Sequence, residues 1–133
     1  MNWYKKAQNN IIISFDFDDT IFKLEWDGIN NDYKRDPQGA SMGILNQDIA
    51  RLIKNYASKG IKIIIVSSRQ EEMKQEIVDF VTEHNLPISD IYCINGQDKV
   101  HLLKELGVSK HFDDDRFEID AINKDGQVLG ITI

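Results

Sequence analysis

The sequence predicts an α/β protein with a single, doubly wound sheet of five parallel strands. Two observations predict this fold class. Apolar runs of strand length alternate along the chain with segments whose apolar residues recur every three or four positions, which is the period of a helix. Polar side chains that suit ligand binding also follow several of these runs directly, and ligands bind at the carboxyl ends of the strands in such sheets.

The strands are predicted from apolar runs that polar or turn-forming residues bound. The first run reads Ile-Ile-Ile-Ser-Phe-Asp, and an uninterrupted apolar run of this kind is typical of the buried centre of a parallel sheet. The predicted strands lie at about 11–16, 61–66, 91–94, 110–112 and 128–133.

The helices are predicted between the strands from their apolar periodicity. The first begins at Asn46 or Gln47 and ends at Gly60, because glycine tolerates the left-handed conformation of a helix end. Asp98 and Asp115 are expected to cap the amino ends of the last two helices. The helices after the first are predicted at about 70–84, 98–106 and 116–124. Apolar surface is expected at Met73, Ile77, Phe80 and Val81 of the second helix and at Phe117, Ile119, Ala121 and Ile122 of the last.

A long segment between the first strand and the first helix, at about 20–43, reads as irregular. It contains the turn-forming sequences Trp-Asp-Gly, Asn-Asn-Asp and Asp-Pro-Gln-Gly. A segment of this length inside a compact domain is typical of a functional loop or a small hairpin.

Length and composition bound the class of protein. A chain of 133 residues predicts one domain, residues 1–133, that can bury a core. Acidic residues outnumber basic ones, 22 to 16, and the net charge of −6 argues against broad nonspecific binding of nucleic acid, which needs a basic face. Cys93 is the single cysteine, so no intrachain disulfide forms and a reducing compartment is expected.

No secretory signal peptide and no transmembrane helix are expected from the sequence. The first ten residues lack the apolar core of a signal peptide, and no run of about 18 apolar residues predicts a transmembrane helix. A soluble, cytoplasmic protein without membrane association is therefore expected. Trp3 and Tyr4 either pack on the domain or contact a partner, and the oligomeric state is left open.

The chemistry is predicted at the carboxyl ends of the strands. Crowded carboxylates at one edge of a sheet repel one another unless a cation or a proton shares the site. Carboxylate oxygens from two strands make a hard site that suits Mg²⁺, and a lysine with a hydroxyl beside it complements a phosphoryl group. The residues concerned are Asp16, Asp18 and Thr20 after the first strand, Ser67, Ser68 and Arg69 after the second, Lys99 near the third, and Asp113 and Asp114 after the fourth.

This ordered set resembles the haloacid dehalogenase superfamily of phosphohydrolases, from about residue 11 to residue 126. The family's first motif, Asp-x-Asp-x-Thr, matches the residues from Asp16 to Thr20. Its second motif, a serine or threonine that ends an apolar strand, matches Ser67, with Ser68 as the alternative register. Its lysine motif matches Lys99, and its acidic pair matches Asp113–Asp114. The set of four motifs in this order is far more specific than any one of them.

The resemblance implies a Rossmann-like core and a magnesium-dependent phosphatase. Asp16 would be the nucleophile that forms an aspartyl-phosphate, and Asp18 would be the general acid and then the general base. Asp113 and Asp114 would hold Mg²⁺ together with Asp16 and the main-chain carbonyl of Asp18, and which of the pair lies closer to the metal is left open.

The resemblance also implies roles for residues that neither attack phosphorus nor hold the metal. Ser67 and Lys99 would bind the phosphoryl oxygens, and Thr20 beside them would mainly brace the loop. Arg69 is either a substrate contact or a surface cation, and His111 reads as a structural histidine.

The resemblance also bears on the substrate. The first two motifs are too close together for a large cap domain, so the site is expected to be open, with a small squiggle-and-flap element at about 21–33. The compact arrangement is similar to the phosphatase domain of polynucleotide kinase-phosphatases. The phosphorylated substrate is thus a nucleic-acid end, a nucleotide or a small metabolite.

Three other interpretations are weaker. An EF-hand calcium loop needs glycine where Ile21 stands and glutamate where Asp27 stands. A receiver domain that accepts a phosphoryl group would have an aspartate at the end of its third strand, where this chain has Ile-Asn-Gly. A non-catalytic regulatory module that binds magnesium or phosphate is the alternative from another functional class, although each matched catalytic position is filled.

Overall fold

The structure is a computed structural model that describes residues 10–133. Trp3 and Tyr4, whose role the sequence leaves open, lie outside the described residues. No helix among the described residues is long and apolar enough to cross a membrane. The strands are β1 (Ile12–Phe15), β2 (Phe22–Leu24), β3 (Trp26–Asp27), β4 (Asp32–Tyr33), β5 (Gly43–Leu45), β6 (Lys62–Ser67), β7 (Asp90–Cys93), β8 (Lys110–Asp113) and β9 (Leu129–Thr132). The helices are α1 (Gln47–Ser58), α2 (Lys74–Glu83), α3 (Lys99–Glu105) and α4 (Arg116–Asp125).

The main sheet has five parallel strands in the order β7-β6-β1-β8-β9. This confirms the predicted α/β class and places β1 at the centre, where its apolar run is buried on both faces. Alternate side chains of a strand point to opposite faces. Ile13 and Phe15 of β1 therefore lie in the core layer that packs against α1 and α2. Ile64 and Val66 of β6 lie in the layer that packs against α3 and α4.

Side-chain caps begin three of the helices. Asn46 accepts a hydrogen bond from the Ile49 amide at the start of α1, which confirms Asn46 as the residue before the helix. Asp98 accepts one from the Val100 amide at the start of α3. Asp115 accepts bonds from two amides in the first turn of α4. The two predicted aspartate caps are therefore confirmed.

Two predicted apolar faces are partly wrong. The segment before α2 is a short 3₁₀ turn, Glu71–Met73, and Met73 is exposed at its end. In α4 the buried residues are Ile119 and Ile122, whereas Phe117 is 88 % exposed. Phe117 lies two positions before Ile119, which is more than half a turn around a helix with 3.6 residues per turn, so it points away from the core.

The segment between β1 and α1 is more regular than its sequence suggests. Strand β2 pairs with β5, and β3 pairs with β4, each in an antiparallel ribbon. The rings of Trp26 and Tyr33 meet edge to face across the second ribbon, with centroids 5.3 Å apart. Strands of two or three residues are too short to show a period in the sequence. The paired strands reach Leu45, beyond the range of 21–33 expected for the flap.

Candidate active site

The strand ends of the sheet bring three of the predicted site residues into direct contact. Asp16 follows β1, Lys99 begins α3 and Asp113 ends β8. The Nζ atom of Lys99 lies 3.0 Å from Oδ1 of Asp16 and 2.8 Å from Oδ2 of Asp113. All three residues are buried. A buried lysine is stable only when its charge is paired, and here it bridges carboxylates from two strands.

Asp16, Asp113 and Asp114 form a group that can hold a metal ion. Each offers a carboxylate oxygen, and these oxygens all lie within 4.8 Å of one another. Asp114 is exposed, so the group opens to solvent on one side. The donors are oxygen atoms only, which is the ligand type that Mg²⁺ and other hard cations prefer. The residues of this cluster therefore fit the predicted metal.

The charges in the cluster are unbalanced without a cation. Burial raises the pKa of the Asp16 carboxyl to about 8, with Lys99 lowering it and the charge of Asp113 raising it further. Burial also acts against the ionised form of Asp113, but the hydrogen bond from His111 and the charge of Lys99 outweigh it and hold that pKa well below its ordinary value. Burial acts against the charge of Lys99, but Asp16 and Asp113 outweigh it and raise its pKa. A cation at the cluster would take the place of the proton that Asp16 otherwise retains.

This competition predicts a pH dependence of metal binding. The proton stays on Asp16 through the neutral range and is lost as the pH rises through about 8. We therefore expect the affinity for Mg²⁺ to rise by up to about tenfold per pH unit below that value and to level off above it. Calorimetric titrations in buffers of different ionisation enthalpy should show proton release of up to roughly one per ion at about pH 6. Equal affinities at about pH 6 and pH 8 would contradict the assignment of the proton.

Asp18 is held by Arg69, an arrangement that the sequence did not reveal. Nε and one terminal nitrogen of Arg69 lie 2.8 Å from the two carboxylate oxygens of Asp18. The other terminal nitrogen lies 2.7 Å from a carboxylate oxygen of Glu76 in α2. The guanidinium also lies over the ring of Phe17, 5.1 Å from its centroid. With its side chain only 8 % exposed, Arg69 is therefore not a surface cation, and its charge is already paired.

The two serines after β6 have different surroundings. Ser67 is fully buried, and its Oγ accepts a hydrogen bond from the Arg69 amide at 3.1 Å. Ser68 lines the cleft above the acidic cluster. Ser67 and Ser68, the two candidates for the second motif, thus both lie at the carboxyl end of β6. The phosphate-binding role of Ser67 stays a prediction.

Thr20 is fully buried beneath the loop that follows β1. Its carbonyl accepts a hydrogen bond from the Asn46 side chain at 3.0 Å, and its amide donates to the Phe17 carbonyl at 3.2 Å. Its hydroxyl has no hydrogen-bond partner among the described residues. These contacts tie the loop to the start of α1, and the bracing role of Thr20 stays a prediction.

A cleft of about 200 Å³ opens over the cluster. It contains several predicted residues and also Glu118, which sequence reasoning missed. Glu118 is in the first turn of α4, directly after the acidic pair, and this short distance along the chain was the signal that could have identified it. The residues that line the cleft are Asp16, Asp18, Asp19, Ser68, Lys99, Asp113, Asp114, Asp115 and Glu118.

Comparisons with known proteins identify the fold. No family model matches the sequence, and no curated protein is significantly similar to it. Among solved structures, a chain of the Pnkp1/Rnl/Hen1 RNA repair complex is 20 % identical with a TM-score of 0.70, over 92 % of this chain and 42 % of that one. A 3-deoxy-D-manno-octulosonate 8-phosphate phosphatase from Moraxella catarrhalis, in complex with magnesium, phosphate and KDO, is 21 % identical with a TM-score of 0.52, over 91 % and 67 %.

A third similar structure is the cobalt-bound deoxy-D-mannose-octulosonate 8-phosphate phosphatase from Haemophilus influenzae, 18 % identical with a TM-score of 0.51, over 86 % of this chain and 64 % of that one. The chain spans less than half of the RNA repair chain and about two thirds of the two phosphatases. The predicted resemblance is thereby confirmed at the level of the fold: the chain has the fold of the haloacid dehalogenase-type phosphatases, and residues 10–133 include no cap domain.

Proposed function

We propose that the protein is a magnesium-dependent phosphatase that hydrolyses a phosphomonoester through an aspartyl-phosphate. The observation that carries the proposal is the buried contact of Lys99 with both Asp16 and Asp113, all three of which line an acidic cleft. A nucleophile, a cation-binding cluster and a positive charge for phosphoryl oxygens thus occupy one place. Phosphoryl transfer depends on this combination of positioning and charge.

Asp16 is the nucleophile in this proposal. An oxygen of its carboxylate forms a bond to phosphorus, and the bond between phosphorus and the leaving oxygen breaks. Magnesium, when bound by Asp16, Asp113 and Asp114, would offset the negative charge of the phosphoryl group and keep Asp16 ionised. Lys99 lies at the same carboxylate and adds a second positive charge beside the transferring group.

Asp18 moves the proton in both halves of the reaction. It protonates the leaving oxygen, and then takes a proton from the water that attacks phosphorus and releases phosphate. Both oxygens of Asp18 accept hydrogen bonds from the Arg69 guanidinium. Proton donation therefore requires Arg69 to release one oxygen of Asp18, and the contact of Arg69 with Glu76 offers the guanidinium another partner.

The substrate class is proposed from the shape of the site and from the neighbours. The segment between β1 and α1 holds two short ribbons and no cap domain, so the cleft is accessible to a large substrate. One neighbour is a chain of an RNA repair complex, and others are phosphatases of a phosphorylated sugar acid. A nucleic-acid end, a nucleotide and a small phosphorylated metabolite are the substrates to test. The single domain of residues 1–133 and the cytoplasmic location belong to the same proposal.

Removal of metal tests the proposal directly. We expect the purified protein to hydrolyse a generic aryl phosphate with Mg²⁺, to lose this turnover with EDTA, and to regain it when Mg²⁺ is added back. A panel of phosphorylated metabolites, nucleotides and 3′-phosphorylated oligonucleotides, assayed by phosphate release, would then identify the substrate. Binding of Mg²⁺ without turnover of any substrate in the panel would instead identify a non-catalytic module.

A further inference from the structure

Two polar residues lie opposite each other in the interior of the sheet. Ser14 in β1 and His111 in β8 are register partners, and both are fully buried. The Oγ atom of Ser14 lies 2.7 Å from Nδ1 of His111. On the other side of Ser14, its register partner in β6 is Ile64, which belongs to the apolar core layer. A polar pair at this level of the sheet needs a reason, because apolar residues would fill the same space without a polar group to satisfy.

The hydrogen bonds of His111 identify its tautomer. Nε2 of His111 lies 2.9 Å from Oδ2 of Asp113, and a carboxylate only accepts, so Nε2 carries a hydrogen. With the hydrogen on Nε2, Nδ1 can accept a hydrogen bond, and the Ser14 hydroxyl lies within donating distance of it, at 2.7 Å. Ser14 thus contacts the ring on the side opposite Asp113 and holds Nε2 toward that carboxylate.

Asp113 is anchored at both of its oxygens. Oδ2 accepts hydrogen bonds from His111 Nε2 and from Lys99 Nζ, and Oδ1 accepts one from the Asp115 amide at 3.0 Å. Asp16 lies at the other side of Lys99. A continuous chain of buried hydrogen bonds therefore runs from Ser14, inside the sheet, to the carboxylates at its edge.

We propose that Ser14 and His111 are positioning residues that orient Asp113 for metal binding. This inference rests on the proposed magnesium site and extends it into the interior of the sheet. Loss of a residue that hydrogen-bonds to a metal ligand and orients it typically lowers the metal affinity by about 10- to 100-fold. They touch neither substrate nor metal, so their effect passes through Asp113.

Two pairs of variants test the proposal by calorimetric titration with MgCl₂. His111→Phe removes the donor to Asp113, and we expect it to weaken Mg²⁺ binding by about 10- to 100-fold. His111→Gln keeps an N–H donor at a similar position and should restore most of the affinity. Ser14→Val removes the hydroxyl and should weaken Mg²⁺ binding. Ser14→Thr has the shape of the valine variant but keeps the hydroxyl, so it should bind Mg²⁺ more tightly than Ser14→Val.

Ile64→Ala is the control for loss of packing. Ile64 lies beside Ser14 at the same level of the sheet. This variant should lower the melting temperature and leave the affinity of the folded protein for Mg²⁺ unchanged. Weak Mg²⁺ binding by Ile64→Ala equal to that of His111→Phe would overturn the proposal, because general loosening would then explain both. Wild-type affinity in His111→Phe and Ser14→Val would also overturn it.

A protein that keeps both Ser14 and His111 provides a test that does not depend on the folding of core variants. The chain has three histidines, and the other two, His84 and His101, can be replaced by glutamine to leave a single imidazole for ¹⁵N NMR. We expect Nε2 of His111 to carry a hydrogen with and without Mg²⁺. The Nδ1–H tautomer would overturn the proposal.

The two proposals fail separately. A protein that binds Mg²⁺ with the expected variant order, but turns over no phosphomonoester, would refute the hydrolase and leave the positioning role intact. Conversely, His111→Phe could turn over substrate like the wild type at every Mg²⁺ concentration. That result would refute the positioning role and leave the hydrolase intact.

Discussion

Replacement of Asp16 by asparagine should reduce hydrolysis of an aryl phosphate by roughly four orders of magnitude or more, the scale on which loss of a covalent nucleophile acts. The amide has the shape of the carboxylate but is a poor nucleophile, so no aspartyl-phosphate forms. Asp16 lines the cleft 3.0 Å from Lys99 and holds the first position of the matched phosphatase motif, which is why it is proposed for this role. Phosphate release at saturating Mg²⁺ measures the effect.

Asp120→Asn is the matched control for this experiment. Asp120 is an exposed carboxylate on α4 and does not line the cleft, so its replacement changes the net charge by the same amount and should leave turnover unchanged. Mass spectrometry of acid-quenched wild-type protein during turnover should detect a phosphorylated adduct that Asp16→Asn lacks. Turnover by Asp16→Asn close to that of the wild type would reject the nucleophile and, with it, the aspartyl-phosphate.

The second large effect is expected from the double substitution of Asp113 and Asp114 by asparagine. Two of the three carboxylates of the metal cluster become neutral. We therefore expect the affinity for Mg²⁺ to fall by more than about 100-fold, which exceeds the loss caused by removing a residue that only orients a metal ligand. Hydrolysis should fall with it. Calorimetry measures the affinity, and circular dichroism shows whether the fold is kept.

The double variant should still fold because of the charges that remain. Once Asp113 is neutral, it no longer raises the pKa of Asp16, and Asp16 alone can balance the buried charge of Lys99. The single variants of Asp113 and Asp114 would rank the two as metal ligands, which the sequence leaves open. Asp115→Asn is the control, since Asp115 lines the same cleft but caps α4, and asparagine caps a helix equally well. Unchanged Mg²⁺ affinity in the double variant would place the metal elsewhere.

Much of the fold was predictable because its signals are local. The apolar run of β1 and the caps Asp98 and Asp115 are each read from a few neighbouring residues. The ribbons between β1 and α1 were not predicted, since strands of two or three residues carry no period. Phe117 was predicted as apolar surface from its residue type alone, whereas its position two residues before the buried Ile119 turns it toward solvent.

The candidate site divides in the same way. The sequence by itself determined the α/β class and the candidate residues at the strand ends, because a run of apolar residues followed by a carboxylate is a short-range pattern. Only the tertiary structure decided that Arg69 pairs with Asp18, 51 positions away, and that Ser14 meets His111, 97 positions away. Such contacts depend on strand order and register, which arise when the whole sheet packs and which no local pattern of side chains encodes.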